Sequence, residues 1–424
     1  MRKKILIYIG LITLVIGFSR FAISEIEAKA KDDLYKQVEL FSYALTTIQS
    51  EYAEEPKPKD LIYGALKGLL ASLDPHSQFM DPETYNELKV ETEGQFGGLG
   101  IEITLKDGLV TVITPVQDTP AWKAGIKAGD KIVKINDEIA RDFTLNDAVK
   151  RLRGKPATVV NILVLREGED KLLEFKITRE IIKIHDIKEA RILEERIGYI
   201  RLAEFRENTP ADLTKALESV KKDGADSLIL DLRNNPGGLL NIAIKISEIF
   251  LPEGKVIVST KGRHSNQDMV FKSRSRNSDY LEWPMVVLIN EGSASGSEIL
   301  AGSLQDNKRA IILGTKSFGK GSVQSVIPLF DGSAIRLTTS KYFTPSGRSI
   351  HGLGILPDVA VEDVELVEKE KDDKLESLLK EKEVEKPKSE ISDKQKDSYK
   401  KDRQISSAID IIKGIRIFKQ QTAK

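Results

Sequence analysis

The chain has 424 residues, with 65 Lys and Arg, 65 Asp and Glu, four His and no Cys. This length suggests about three structural units, and the 40% share of apolar residues is enough to form buried cores. The balanced charge argues against nucleic-acid binding, the lack of cysteine excludes thiol catalysis and disulfides, and the histidines form no closely spaced ligand pair. We therefore expect no metal and no other cofactor.

The first 24 residues have the pattern of an export signal. The basic residues Arg2, Lys3 and Lys4 precede an uncharged apolar run over residues 5–18. The run is short for a membrane span of about 20 residues, and small residues follow it at the spacing that a signal peptidase needs. Residues 1–24 are therefore either a cleaved signal peptide or a membrane anchor formed by residues 5–18. Both alternatives predict that the body of the protein is exported.

Residues 25–85 predict an N-terminal helical arm. Apolar residues recur every three or four positions from about residue 32 to 52, and a second helix is expected over residues 60–73. A short Pro- and charge-rich segment separates them. The arm either docks on its own chain or is covered by the arm of a second copy in a homodimer.

Residues 86–180 contain alternating strands and glycine turns. A glycine-rich entry over residues 96–100 leads into a strand, and the pattern AGxxxGDxIVxIN follows over residues 124–136. Together these motifs resemble a PDZ domain of the kind found in bacterial proteases. Such a domain aims backbone N–H groups at a peptide's terminal carboxylate, and the next strand pairs with the peptide. The residues implied in peptide binding are Gly97, Gly98, Leu99, Gly100 and Ile101. The alternative is a small β-domain without a ligand.

From residue 181 to 361 strands and helices alternate, which predicts an α/β core. Buried strands are expected over residues 227–232, 285–290 and 309–314. Lys, Glu, Asp and Ser dominate residues 362–402, so this segment is predicted to be a charged linker that is too polar to order itself. Residues 403–424 predict a final amphipathic helix.

Lys320 stands in a glycine-rich segment that allows three interpretations. The segment from Gly314 fits the front of a phosphate-binding loop, but Gly321 occupies the place of the magnesium-binding hydroxyl and no helix follows. As a general base, Lys320 would need burial to lower its pKa from about 10.4. On a strand, Gln324 would share its face, and the Gln324 amide oxygen could then aim the amine. The third interpretation is a surface lysine in a turn.

Ser295 is the best-placed candidate nucleophile. It follows a buried strand and begins a helix, where free N–H groups favour developing negative charge. The alternative is a helix cap, because Ser295 and Glu298 also have the spacing of a capping box. Gly237 and Gly238 follow another buried strand and would offer an oxyanion-hole N–H, with that of Gly296 as the second donor. A plain glycine turn is the alternative for the glycine pair.

The order of these motifs over residues 33–361 resembles the carboxyl-terminal processing peptidases, also called tail-specific proteases. The matching segments are residues 74–77, the PDZ-like region, and residues 231–238, 292–298, 318–324 and 341–348. The resemblance implies Ser295 as nucleophile, Lys320 as base and Gln324 as the residue that positions the base. It also implies a crotonase-like protease core with the PDZ domain inserted before it. Position 296 is often alanine in this family and is glycine here, which leaves the backbone N–H in place.

The resemblance further implies a serine endopeptidase that cuts exported proteins at or near flexible, apolar carboxyl ends. Its location would be the bacterial periplasm or the extracytoplasmic face of the inner membrane. Arg153, at the end of the PDZ helix, would link peptide binding to the active site, unless it is only a solvated arginine. Two other functions are considered: an exported peptide-binding protein without activity, and a crotonase-like acyl-CoA enzyme. The export signal and the PDZ-like region both argue against the second.

Overall fold

The computed structural model describes residues 33–106, 108–276, 278–362 and 401–422. The predicted export signal and nearly all of the predicted charged linker lie outside these residues. Within the described ranges, no helix combines the length and the apolar character needed to cross a membrane.

The N-terminal arm consists of three helices and one short strand. They are α1 (33–51), α2 (Pro58–Ala71), β1 (Gln78–Met80) and α3 (Pro82–Glu93). The first two correspond to the expected helices. α3 was not expected, because it buries no residue and so lacks an apolar period. The sequence nevertheless contains typical residues at both ends of α3. The Asp81 side chain accepts the Thr84 N–H at 2.9 Å, and Gly94 ends the helix with φ 68°.

The next unit is mainly β. Its strands are β2 (Gln95–Gly98), β3 (Ile101–Lys106), β4 (Leu109–Pro115), β5 (Lys131–Ile135), β6 (Glu138–Ile139), β7 (Val159–Leu165), β8 (Leu173–Thr178) and β9 (Glu180–Lys183). One antiparallel sheet has the order β3-β4-β5-β7-β8 with β6 beside β5, and β2 pairs with β9. Two helices, α4 (Pro120–Ala124) and α5 (Leu145–Leu152), complete the unit. A separate apolar cluster that includes Val110, Ile132 and Val160 forms its core.

The following α/β unit is built on a six-stranded sheet in the order β10-β11-β12-β15-β16-β19. Its strands are β10 (Ile187–Ile192), β11 (Ile197–Leu202), β12 (Ser227–Asp231), β15 (Met285–Ile289), β16 (Ile311–Gly314) and β19 (Val359–Ala360). β10 is antiparallel to β11, and the other pairs are parallel. The helices are α6 (Thr209–Lys222), α7 (Leu240–Phe250), α8 (Gly296–Asp306) and α9 (Arg403–Thr422).

A second, smaller sheet lies beside this one. Its strands are β13 (Val256–Gly262), β14 (Met269–Lys272), β17 (Ser322–Pro328) and β18 (Ala334–Phe343), together with β1 of the arm. β18 pairs with β1, β13 and β17, all antiparallel. Because β1 belongs to the arm, this sheet joins the arm to the α/β unit.

Helices cover both faces of the six-stranded sheet. Along β12, Leu228 and Leu230 pack in a cluster with residues of α6, α7 and α8, whereas Ile229 belongs to a cluster with Ile405 and Ile409 of α9. Successive strand side chains point to opposite faces, so this alternation places α9 opposite the other three helices. The predicted α/β core with an inserted, mainly β domain is confirmed.

Candidate active site

Three loops that follow neighbouring strands form a single cleft. The loop after β12 carries Gly237 and Gly238, the loop after β15 carries Ser295, and the loop after β16 carries Lys320. All four line a cleft of about 320 Å³, together with Gln324. The three strands are parallel neighbours, so their carboxyl ends lie at one edge of the sheet, where ligands bind in open α/β folds.

Ser295 lies at the start of α8 in an unusual backbone conformation. Its φ is 50° and its ψ is −109°, and its side chain is 8% exposed. A non-glycine residue held at positive φ is strained, and such strain is concentrated at functional sites. Tyr342 lines the same cleft, where burial raises the pKa of its phenol to about 12 and the nearby Ser295 hydroxyl partly offsets that rise. The nucleophile candidate is therefore held by its backbone and shares its cleft with a phenol that stays protonated at neutral pH.

The Glu298 carboxylate joins the loop of Ser295 to the loop of Lys320. Glu298 is fully buried, and its Oε2 accepts the backbone N–H groups of Ser295 and Lys320, both at 2.9 Å. Its Oε1 accepts the Ser317 hydroxyl and the Gly319 N–H, both at 2.6 Å. Burial raises the pKa of Glu298, and these four hydrogen bonds oppose the rise. The sequence indicated only a cap for Glu298, because its contact with residues 317–320 is not local.

Lys320 is partly buried, and its electrostatic surroundings favour the neutral amine. Burial lowers the pKa of Lys320, the nearby Arg336 charge lowers it further, and Glu298 opposes both. Lys320 precedes β17, and the pairing register shifts between Val323 and Gln324. The lysine environment thus has the character that a general base requires.

Gln324 lines the cleft but is bonded to a neighbour on its own strand. Its amide nitrogen donates to the Ser322 hydroxyl at 2.7 Å. This leaves the amide oxygen as the atom able to accept from the Lys320 ammonium. The positioning role of Gln324 remains a prediction.

The two glycines of the loop after β12 differ in whether their backbone N–H group has a hydrogen-bond acceptor. The Gly237 N–H donates to the Asn235 Oδ1 at 2.9 Å, so Gly237 is not a free oxyanion donor as the sequence suggested. Among the described residues, the N–H groups of Gly238 and Gly296 have no acceptor. Glycine is needed at position 237 because this loop passes close to the loop of Ser295. A Cβ at position 237 would lie 2.5 Å from the Ala294 carbonyl oxygen. The remaining candidate donors are Gly238 and Gly296.

The mainly β unit has a small apolar groove at the expected place. Leu99, Gly100 and Ile101 line a pocket of about 70 Å³ between β3 and α5. Gly97 and Gly98 do not line this pocket, and their role in peptide binding remains a prediction. They belong to β2, whose antiparallel pairing with β9 uses their backbone.

Arg153 lies at the boundary between this groove and the helix α3. Its guanidinium carbon is 4.2 Å from the centre of the Phe96 ring, and burial lowers the pKa of Arg153. It lines both the groove and a neighbouring cleft whose other wall includes Glu83 of α3. Another residue of α3, Leu88, lines the cleft of Ser295. α3 thus lies between Arg153 and that cleft, and the linking role of Arg153 remains a prediction.

The described residues contain no group of three or more His, Asp or Glu side chains that could hold a metal ion. The cleft brings together a hydroxyl, an amine of lowered pKa and, among the described residues, backbone N–H groups without an acceptor. This combination suits nucleophilic attack on a carbonyl group followed by stabilisation of the oxyanion.

Three family models match the chain. Peptidase family S41 matches residues 196–361, and the PDZ domain model matches residues 97–177. A third model, the activating protease CtpB N-terminal domain, matches residues 18–84. The match to family S41 includes Ser295, Lys320 and the glycine loop.

Relatives in two organisms match most of the chain. A carboxy-terminal-processing protease of Bartonella bacilliformis is 46% identical over 336 residues, covering 78% of this chain and 76% of the relative. A carboxyl-terminal-processing protease of Synechocystis sp. is 38% identical over 323 residues, covering 74% of each. Among solved structures, a photosystem II D1 C-terminal processing protease is 31% identical with a TM-score of 0.45, covering 76% of this chain and 86% of that one.

Proposed function

Because the chain belongs to the carboxyl-terminal processing proteases of peptidase family S41, we propose that it cuts proteins at or near their carboxyl ends with a Ser295–Lys320 dyad. Family membership makes it a serine-type peptidase with a PDZ domain. One observation carries the dyad: Ser295 and Lys320 come from separate loops yet line one cleft, and a single buried carboxylate bonds both backbones.

The mechanism follows from the positions of these groups. Neutral Lys320 takes the proton of the Ser295 hydroxyl as its oxygen attacks the scissile carbonyl carbon. The N–H groups of Gly238 and Gly296 donate to the oxyanion of the tetrahedral intermediate. Lys320 then protonates the leaving amine, and water hydrolyses the acyl-enzyme. Gln324 orients the Lys320 amine during both proton transfers.

The PDZ domain recognises the tail of the substrate in this proposal. The pocket beside Leu99 and Ile101 is small and lined mainly by apolar side chains, which favours a short aliphatic terminal residue. β3 offers the strand with which an extended peptide pairs. A flexible carboxyl end is required, because the same chain must reach from this pocket into the cleft of Ser295.

Export and assembly complete the proposal. The basic and apolar pattern of residues 1–18 supports export to the periplasm, with or without anchorage at the inner membrane. Apolar side chains of α1, such as Leu34, Val38 and Phe41, are exposed, which supports a homodimer formed through the arm. The expected substrates are exported proteins.

A tail-trimming assay tests the proposed activity. The full chain is incubated with a test protein that has a disordered, alanine-rich carboxyl end, and the products are measured by intact mass. We expect progressive loss of mass from the carboxyl end, and no loss with the Ser295→Ala variant, which lacks the attacking oxygen. A test protein with an amidated carboxyl end is the matched control, and we expect slower cleavage because the PDZ pocket cannot bind a terminal carboxylate. Tight tail binding without cleavage would instead indicate a peptide-binding protein.

The pH dependence of the reaction should report the state of Lys320. Only the neutral amine accepts a proton, so kcat should increase as pH rises through the lowered pKa of Lys320. In the Arg336→Gln variant the loss of the guanidinium charge raises the pKa of Lys320, and the rise in kcat should move to higher pH. Lys341→Gln is the control, since it removes an exposed charge from the same strand, β18. A kcat that falls above neutral pH in an intact enzyme would contradict the dyad.

A further inference from the structure

The C-terminal helix α9 is connected to the loop after β12 through a network of charged and polar side chains that is largely buried. Arg233 is the second residue after β12, and Asp402 and Gln404 stand at the start of α9. An Arg233 Nη2 atom lies 2.8 Å from Asp402 Oδ2, and Nη1 donates to Gln404 Oε1 at 2.9 Å. The side chains of Asp231 and Gln404 are fully buried, and that of Arg233 is 10% exposed. Arg233 and Gln404 are 171 residues apart in the sequence, so no local pattern reveals this contact.

These contacts form one network around the Arg233 guanidinium. Asp231 accepts from Arg233 Nε at 3.0 Å and from Nη2 at 2.7 Å, and it also accepts the Tyr199 phenol at 2.7 Å. Gln404 donates in turn to the Val361 carbonyl oxygen at 2.8 Å. Burial alone would lower the pKa of Arg233, but hydrogen bonds and charges from Asp231 and Asp402 outweigh it and raise the pKa. The guanidinium is therefore a fixed, charged group with α9 supplying two of its partners.

The network lies next to the glycine loop of the cleft. We define the oxyanion loop as residues 232–238. Downstream of Arg233, the Asn234 N–H donates to Asn290 and the Asn235 side chain donates to the Leu202 carbonyl oxygen, both at 2.8 Å. Arg233 is thus the upstream anchor of the loop, and it is held by Asp231 of β12 and by Asp402 and Gln404 of the α9 segment.

We propose that α9 positions the oxyanion loop, with Asp402 and Gln404 acting as positioning residues through Arg233. The inference rests on the proposed peptidase function, because it assigns the loop to oxyanion stabilisation. In this proposal α9 has two separate roles. Its apolar side chains, including Ile405, Ile409 and Ile412, cover the sheet and stabilise the fold. Its first turn sets the geometry of the loop.

Asp402→Asn isolates the second role. Asp402 Oδ1 accepts the N–H groups of Gln404 and Ile405, both at 3.0 Å, so it caps α9. Asparagine is an equally good cap, and the variant therefore keeps the helix while removing one of the two carboxylate charges that hold Arg233. A second variant, Gln404→Leu, fills the same buried space but leaves Arg233 Nη1 without its acceptor.

Arg416→Gln is the matched control. Arg416 anchors α9 to the other end of β12 through Asp226 and Ser227, the latter at 2.7 Å. The control weakens the docking of α9 without touching Arg233. Any effect that comes only from loosening the helix should appear in this control as well.

The three variants are made in the full chain and compared with the parent. We expect kcat to fall roughly tenfold for Asp402→Asn and Gln404→Leu with KM unchanged, since a displaced oxyanion donor weakens only the transition state. The inhibition constant of a peptide aldehyde, which forms a tetrahedral adduct, should rise by a similar factor. Amide hydrogen exchange over residues 232–238 should become faster in both variants and stay unchanged in Arg416→Gln.

Two outcomes would overturn the inference. If Arg416→Gln lowers kcat as much as Asp402→Asn at equal melting temperature, α9 only stabilises the fold. If exchange over residues 232–238 stays at the parent rate in all variants, the loop does not depend on α9. Failure of the proposed function would give a different result. In that case the parent itself would show no cleavage that the Ser295→Ala substitution abolishes.

Discussion

Replacing Lys320 by methionine is expected to lower kcat by about 10⁴- to 10⁶-fold, the range seen when one member of a catalytic unit is removed. Methionine keeps most of the length and apolar volume of lysine but cannot accept a proton. The loop itself should be unaffected, because Glu298 holds it through the Lys320 backbone N–H and through Gly319 and Ser317. The loss should therefore appear in kcat, measured with a tail-bearing substrate, and not in the melting temperature.

Lys316→Met is the matched control for this prediction. Lys316 lies in the same loop with an exposed side chain, so its removal changes the net charge by the same amount without entering the cleft. We expect parental kcat for it. The double variant of Ser295→Ala and Lys320→Met should be no slower than either single variant, because the two residues act as a unit. Substantial activity in Lys320→Met at neutral pH would show that another group activates Ser295.

Replacing Gly237 by alanine is expected to lower kcat by about 10²- to 10³-fold, because small displacements of reacting groups have effects of this size. The added Cβ would lie 2.5 Å from the Ala294 carbonyl oxygen, 2.6 Å from the Gly296 nitrogen and 2.8 Å from the Ser295 Cβ. Backbone atoms cannot move aside as a flexible side chain would. The nucleophile and a candidate oxyanion donor must therefore shift together.

Alanine at position 237 is also destabilised by backbone strain, because its φ is positive. A substitution at a second glycine measures the cost of this strain separately. Gly237 and Gly224 both have φ 97°, and a Cβ at Gly224 would meet nothing within 4 Å. Gly224→Ala thus reports the conformational cost without the steric contact. We expect Gly237→Ala to lose at least as much stability as Gly224→Ala in thermal unfolding, and only Gly237→Ala to lose kcat. Equal kcat in the two variants would show that the contact with Ser295 is unimportant.

The sequence alone located most of the individual parts. Apolar periodicity predicted α1, α2 and α9, because burial of one face leaves a regular spacing of apolar residues. The buried strands of the α/β unit were predicted as well. Residues that follow a buried strand, such as Ser295 and Gly237, could also be found, since parallel strands bring their carboxyl ends to one edge. The polar helix α3 was missed for the opposite reason, as it buries no side chain.

The sequence by itself determined the α/β class, the inserted mainly β domain and the identity of the chemical groups, because these depend on local pattern and residue type. The tertiary structure decided which groups meet. It assigned the Gly237 N–H to Asn235 and made Glu298 a bridge between two loops. It also left the N–H groups of Gly238 and Gly296 without an acceptor in the part of the chain that the structure describes. It also joined Arg233, just after β12, to Asp402 at the start of α9. Hydrogen bonds between distant segments depend on packing in three dimensions, which leaves no periodic trace in the chain.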